Sequence, residues 1–258
     1  MKPTLRRVYW ATASRARRFI RPEWQRAYRS VAYRGRRFYC PCCRRTARRF
    51  RRFGSDKNSR CPWCGSLQRQ RAMWLYLQRE TDVASADMRL LHVAPEEALV
   101  LRLKGRPNVH YVRLDVEPER PCDVFGDLTR APFVSGSFDL ILCSHVLEHI
   151  PDDRAAMNEI TRLLSPKGRA ILLVPLDDRL AETDEDPSVT DPKERARRFG
   201  QHNHVRMYGR DFVDRLSESG LDVDSIDYTA RLDGRERERM LVHTTALNRE
   251  QLFICRPA

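Results

Sequence analysis

The sequence predicts an α/β protein built on a mostly parallel sheet and approached from its amino terminus by a basic arm and a small cysteine-held module. Three observations carry this expectation. From Met88 onward, short apolar runs alternate with helical stretches, the pattern of βαβ units. Ahead of them, five of the eight cysteines crowd between Cys40 and Cys64. Finally, residues 1–53 hold 17 Arg and one Lys against Glu23 alone, a net charge of +17, whereas the whole 258-residue chain carries +13, so the rest carries −4. Basicity therefore belongs to one end of the chain, and the bulk is a mildly acidic protein with enough apolar residues (41%) to build a core.

In chain order, residues 1–37 form the basic arm. Leu5, Val8, Tyr9, Trp10, Phe19, Ile20, Trp24, Tyr28 and Val31 fall among its arginines at broadly helical spacing, which suits an anionic membrane surface. The arm has no apolar core region or cleavage site of a secretory signal, and no run of the chain approaches the roughly 18 to 20 apolar residues of a membrane span. A cytoplasmic protein without a transmembrane segment is expected. An Arg-rich, acid-poor start also fits a transit peptide, but the basic run continues unbroken into the cysteine cluster, which weakens that reading.

Residues 38–66 are expected to form a zinc-ribbon-like module. Cys40, Cys43, Cys61 and Cys64 follow the pattern C-x2-C-x17-C-x2-C, within the range of four-thiolate Zn2+ sites. Two residues between thiols let one tight turn aim both sulfurs at one ion, and Pro41, Pro62 and Gly65 supply turn geometry. Cys42 is left over and is an alternative to Cys40 or Cys43 as ligand. With no secretory signal, structural disulfides are the weaker reading. Residues 67–87 are the link: Ser66 to Thr81, with Leu67, Met73, Trp74 and Leu77 among Gln and Arg, reads as an amphipathic helix docked on the larger domain.

Residues 88–258 form that large domain. Strands are expected at Leu90–Ala94, Val109–Val116, Phe138–Ser144, Arg169–Pro175, Leu221–Thr229 and Gln251–Pro257, with helices at Glu96–Leu103, Arg154–Leu164 and Gly209–Ser219. Asp177–Arg198, charged and proline-bearing, reads as a mobile excursion, and the polar Arg/Glu segment between the last two strands as a loop.

The run Gly126 to Leu176 then carries a resemblance. Asp127-Leu128, Ala131-Pro132-Phe133, Phe138-Asp139-Leu140-Ile141, Val146-Leu147-Glu148-His149-Ile150-Pro151-Asp152 and Leu164-Ser165-Pro166-Lys167-Gly168 recur in the order and spacing of class I S-adenosylmethionine-dependent methyltransferases of the type 11 subgroup. The run resembles the second half of that domain, and the likeness extends more weakly over Leu90 to Leu128. The resemblance implies a Rossmann-like, doubly wound sheet, S-adenosylmethionine as cofactor, and a methyltransferase activity. In such sheets ligands sit beyond the carboxyl ends of the strands where strand order reverses. Ala94, Pro95 and Glu96 are expected to face the cofactor's methionine end. Asp115, 19 residues beyond Glu96, has the spacing of a carboxylate accepting from both ribose hydroxyls. The resemblance further implies that Asp127 accepts from the adenine amino group with Leu128 beside the ring, and that Ser144 and His145 border the methyl and the acceptor. The run LHVAPEEAL lacks the glycine-rich turn usual in the family, so a degenerate, non-catalytic binding protein stands as an alternative.

Candidate bases are His149, His204 and His202. Family analogy assigns Glu148 and His149 to stabilising the loop and helix start; His202 and His204, without a carboxylate or thiol at matching spacing, are read as acceptor-binding rather than as a metal pair. The acceptor is unassigned. A small molecule, lipid or saccharide leads; an RNA methyltransferase is the alternative, since the basic arm and module interleave Phe38, Tyr39, Phe50, Phe53 and Trp63 and offer phosphate and stacking contacts. RNA and an anionic membrane surface are thus the two partners considered for residues 1–53.

Overall fold

The computed structural model describes residues 22–54, 56–242 and 251–258. The expected apolar positions from Leu5 to Ile20 lie outside the described residues. The chain begins with helix α1 (Pro22–Ala32), followed by two small antiparallel hairpins, β1 (Phe38–Cys40) with β2 (Arg45–Ala47), and β3 (Arg51–Phe53) with β4 (Asp56–Arg60). Helix α2 (Gln68–Glu80) leads into a seven-stranded sheet. Its strands are β5 (Met88–Val93), β6 (Val109–Asp115), β7 (Val124–Phe125), β8 (Phe138–Ser144), β9 (Leu164–Leu173), β12 (Leu221–Asp227) and β13 (Gln251–Pro257). Their order across the sheet is β12-β13-β9-β8-β5-β6-β7, and β13 alone runs against its neighbours β9 and β12. The expected Rossmann-like, mostly parallel sheet is present.

Alternation along each strand builds two cores. Leu90, Leu140, Leu142, Ile171 and Ile254 face one layer, while Leu91, Ile141, Cys143, Leu172 and Phe253 face the other, so near-continuous apolar runs are buried on both sides. The first face is covered by α2 and α3 (Glu97–Leu103), the second by α4 (Asp153–Leu163) and α6 (Phe212–Ser217). The first core continues without interruption into the cysteine module through Phe38, Phe50 and Cys61.

That continuity explains a departure in α2. An amphipathic helix would expose its polar residues, yet every position from Gln70 to Leu77 is buried. The helix is enclosed between module and sheet, and its Arg71 guanidinium, fully buried, donates to the carbonyls of Ser59, Ser66, Met240 and Leu241 and lies over the Phe50 ring. A buried cation is tolerated only where its donors are met, and here four carbonyls from three chain segments meet them.

Two expectations change. The Asp177–Arg198 excursion is not open: β10 (Asp184–Glu185) pairs with β11 (Arg206–Met207), and α5 (Pro192–Arg198) is capped by Asp191, which accepts from the Lys193 and Glu194 amides. Arg198 also pairs with Asp184 and Asp186, so charges that look solvated in sequence satisfy one another in the fold. The polar segment before β13 holds α7 (Gly234–Met240), capped by Asp233 through the Glu236 amide. On α1, Trp24, Tyr28 and Val31 follow helical spacing and all stand exposed. Among the described residues, no helix is long and apolar enough to cross a membrane.

Candidate active site

The order reversal at β5, flanked by β6 and β8, opens a cavity of about 650 Å³ beyond the carboxyl ends of these strands. Asp115 closes β6 on its wall. Its carboxyl is buried; Oδ1 accepts from the Glu117 amide at 2.9 Å, and Oδ2 has no partner. A buried carboxylate oxygen left unpaired costs on the order of 1–3 kcal/mol or more, which a hydroxyl-bearing ligand would recover. Asp127 follows β7, accepts from the Thr129 amide at 2.9 Å, and turns the chain into a short 3-10 turn that sets Leu128 against the cavity. Gly126 lines the same wall; a Cβ there would meet Pro132 and Leu114 at 3.1 and 3.2 Å.

At the end of β5, Ala94 reaches the cavity in a left-handed backbone conformation (φ 46°) that costs an L-residue roughly 1–2 kcal/mol and that glycine adopts freely. The glycine-free turn thus keeps a glycine-like backbone. Pro95 and Glu96 do not line the cavity. Glu96 turns back to α2, where Gln70 donates to its carboxylate at 2.6 Å and Arg69 pairs with it at 3.3 Å. The loop is held from behind by His92. Burial pushes its pKa down to about 3, so it is neutral, with Nδ1 on the Tyr111 hydroxyl and Nε2 facing the Glu96 amide. Of the eight residues expected at the cofactor, five (Ala94, Asp115, Asp127, Leu128 and His145) line the cavity. Ser144 sits behind the wall, buried with its hydroxyl unpaired.

The far side of the cavity centres on Glu148, whose carboxylate is fully buried with neither oxygen hydrogen-bonded. His145, in a left-handed conformation (φ 53°) at the end of β8, brings Nδ1 to 3.2 Å from Glu148 Oε1, within ion-pair reach though not aligned as a hydrogen bond. Burial pushes the Glu148 pKa up, but the facing His145 outweighs it and holds the carboxyl below its ordinary value. His204 Nε2 lies 3.9 Å from the same oxygen. The His149 and His204 rings meet edge to face at 4.8 Å. His202 stands exposed on the preceding turn, away from the cavity lining, so of the three expected bases only His149 and His204 come together.

Two segments more than fifty residues apart meet here because Arg206 joins them. Nearly buried, it donates to the carbonyls of Leu147, Ile150 and Pro151 and pairs with Glu185 at 2.9 Å and Asp153 at 3.6 Å. The Val205 amide donates to the Glu148 carbonyl, and the Tyr208 hydroxyl to Asp153 at 2.8 Å. Sequence reasoning placed the two segments near the acceptor but missed Glu148 as their hub and Arg206 as their clamp, since neither pairing is local.

In the cysteine module, the sulfurs of Cys40, Cys43, Cys61 and Cys64 lie within 4.8 Å of one another. The two knuckles are alike: Arg44 donates its amide to the Cys40 carbonyl and Gly65 to that of Cys61, each in a left-handed conformation. Cys42 instead points its sulfur at the Gln70 carbonyl, 3.5 Å away, and burial raises its thiol pKa.

Residues 85–172 match the family described as a methyltransferase domain. Ubiquinone biosynthesis O-methyltransferase of Xanthomonas oryzae pv. oryzae is 33% identical over 87 residues, covering 34% of this chain and 33% of that protein. An uncharacterized protein of Methanocaldococcus jannaschii is 40% identical over 57 residues, covering 22% of this chain and 25% of its own length. The chain thus matches about a third or less of the length of these curated relatives. Among solved structures, an S-adenosylmethionine dependent methyltransferase from Mesorhizobium loti is 17% identical, with a TM-score of 0.49, over 71% of this chain and 96% of that one.

The clamp makes a prediction. Arg206→Met leaves the carbonyls of Leu147, Ile150 and Pro151 without their donor, and should cost about 1–3 kcal/mol of stability, read as a lowered urea midpoint. Hydrogen exchange at the Val205 amide should rise with it. An unchanged midpoint with full protection contradicts the role assigned to Arg206.

Proposed function

We propose that this methyltransferase domain binds S-adenosylmethionine in the cavity beyond β5, β6 and β8 and transfers its methyl group to an oxygen of a small-molecule, lipid or saccharide acceptor. The observation that carries the reading is Asp115 Oδ2, a buried and unpaired acceptor on the wall of the cavity. A ribose hydroxyl is the group its position suits. Asp127 is assigned to the adenine amino group and Leu128 to the ring's face, and the exposed Val116 offers a second apolar surface at the same mouth. Ala94 lets the backbone approach closely without a glycine.

The cofactor supplies a methyl group on a cationic sulfur, already activated for in-line displacement. The chain's work is therefore to place the acceptor and take its proton. His145 is the group we assign to the proton. Glu148 Oε1 lies 3.2 Å from its Nδ1, and His145, with a left-handed backbone (φ 53°), lines the cavity. An oxygen acceptor is supported by the name of the Xanthomonas relatives.

RNA is the second reading, favoured by the exposure of Arg44, Arg45, Arg48, Arg49 and Arg52 on the cysteine module, a phosphate-seeking surface. Labelling cell fractions with methyl-labelled cofactor separates the two: label in a lipid or glycan extract and none in total RNA supports the first, and the reverse supports RNA docking. The four clustered thiols are assigned to one structural Zn2+, the ion that suits four sulfurs in a tetrahedron.

Two measurements test these assignments. Calorimetry should detect S-adenosylhomocysteine binding to the wild-type chain, weakened at least about tenfold in Asp115→Ala by loss of a hydrogen bond to a charged group. No heat and no thermal shift at millimolar ligand would leave only the non-catalytic reading. Metal analysis should find one zinc per chain, lost in Cys61→Ser and kept in Cys42→Ser; zinc lost equally in both overturns the assignment of Cys42 outside the site.

A further inference from the structure

We infer a second metal site, for a divalent first-row transition ion, formed by Glu148, His149 and His204 on the acceptor side of the cavity. One donor atom of each of the three lies within 4.8 Å of the others. The tautomers are set by the backbone. His149 Nδ1 faces the Asn203 carbonyl at 3.2 Å and His204 Nδ1 the Phe199 carbonyl at 2.8 Å, so both rings donate from Nδ1 and keep Nε2 as a bare lone pair. This is how proteins prepare imidazole for a metal, with the outer nitrogen tied to a carbonyl that fixes ring and tautomer.

Unmet polarity inside the cluster points to a ligand independently of the spacing. Glu148 is wholly buried and neither of its oxygens has a hydrogen bond, and His204 Nε2 is buried and equally without one. A group that only braced the loop would have those atoms satisfied by neighbours, as Arg206 is satisfied by the carbonyls of Leu147, Ile150 and Pro151. Two imidazoles and one carboxylate form a donor set suited to Mn2+, Fe2+, Co2+ or Zn2+ rather than Ca2+. His145, within 3.2 Å of Glu148 Oε1, would sit in the outer shell and link the ion to the cavity.

His149 and Asn203 line the cavity, so an ion here has one open side toward the acceptor space. An acceptor hydroxyl reaching that side would lose its proton more easily to His145. This last step rests on the methyl-transfer reading; the metal site itself does not.

The test uses the full-length, zinc-replete chain with Mn2+ as probe, since Mn2+ does not compete for four thiolates. Loss of the free-ion electron paramagnetic signal should report one Mn2+ per chain in addition to zinc. Glu148→Gln and His204→Ala should each weaken it at least about tenfold, the range found for disturbed metal ligation. His149→Ala, at a partly exposed position, is the variant to read if Glu148→Gln lowers the melting temperature. Failure of the wild-type chain to bind Mn2+ or Co2+ at millimolar concentration, or equal binding by the three variants, overturns the site. Absent S-adenosylhomocysteine binding beside intact Mn2+ binding would instead strike at the proposed function alone.

Discussion

The arrangement rests on one topological constraint, the reversal of strand order at β5. The chain leaves β5 toward β6 and β7 in one direction and returns to β8 and β9 in the other, so the loops above β5 and β8 diverge and no backbone can fill the space between them. Asp115 and Asp127 from one half and His145 from the other therefore converge on a single cavity, although no local pattern in the chain requires them to meet.

Around that crevice, two guanidinium groups bind distant parts of the chain together. Arg206 locks the turn after β8 to the segment before α6, and Arg71 locks α2 to the cysteine module and to the end of α7. Both are nearly or fully buried, and both are satisfied largely by backbone carbonyls. Such clamps contribute specificity more than net stability, because desolvating a cation offsets much of its hydrogen bonding, but removing one leaves several acceptors stranded. One consequence is that the cysteine module is not a separate bead. It shares a core with the sheet, and its arginine-bearing surface is held at a set position relative to the cavity.

Much of this was legible in the sequence. The βαβ alternation located β5, β6, β8, β12 and β13 within a residue or two, and the four-cysteine spacing picked out the sulfurs that cluster. Illegible features have a common physical cause in long-range pairing of charge. Asp177 to Arg198 looked like an open excursion because its acids and arginines satisfy one another only once folded, and α2 looked amphipathic because burial of Arg71 needs carbonyls supplied by three other places. Glu96, expected at the cofactor's methionine end from its place after β5, turned to α2 instead. The carboxylate missing beside His204 in sequence was Glu148, 56 residues earlier, which the Arg206 clamp and the Val205 amide bring to it.

The central claim concerns the occupant of the cavity at Asp115. A crystal structure of the chain grown with S-adenosylhomocysteine decides this most directly. It should place the ribose hydroxyls on the Asp115 carboxylate, the base beside Leu128, and the sulfur on the side of His145. A cofactor bound elsewhere, or a cavity holding only solvent with Asp115 Oδ2 hydrated, would contradict it.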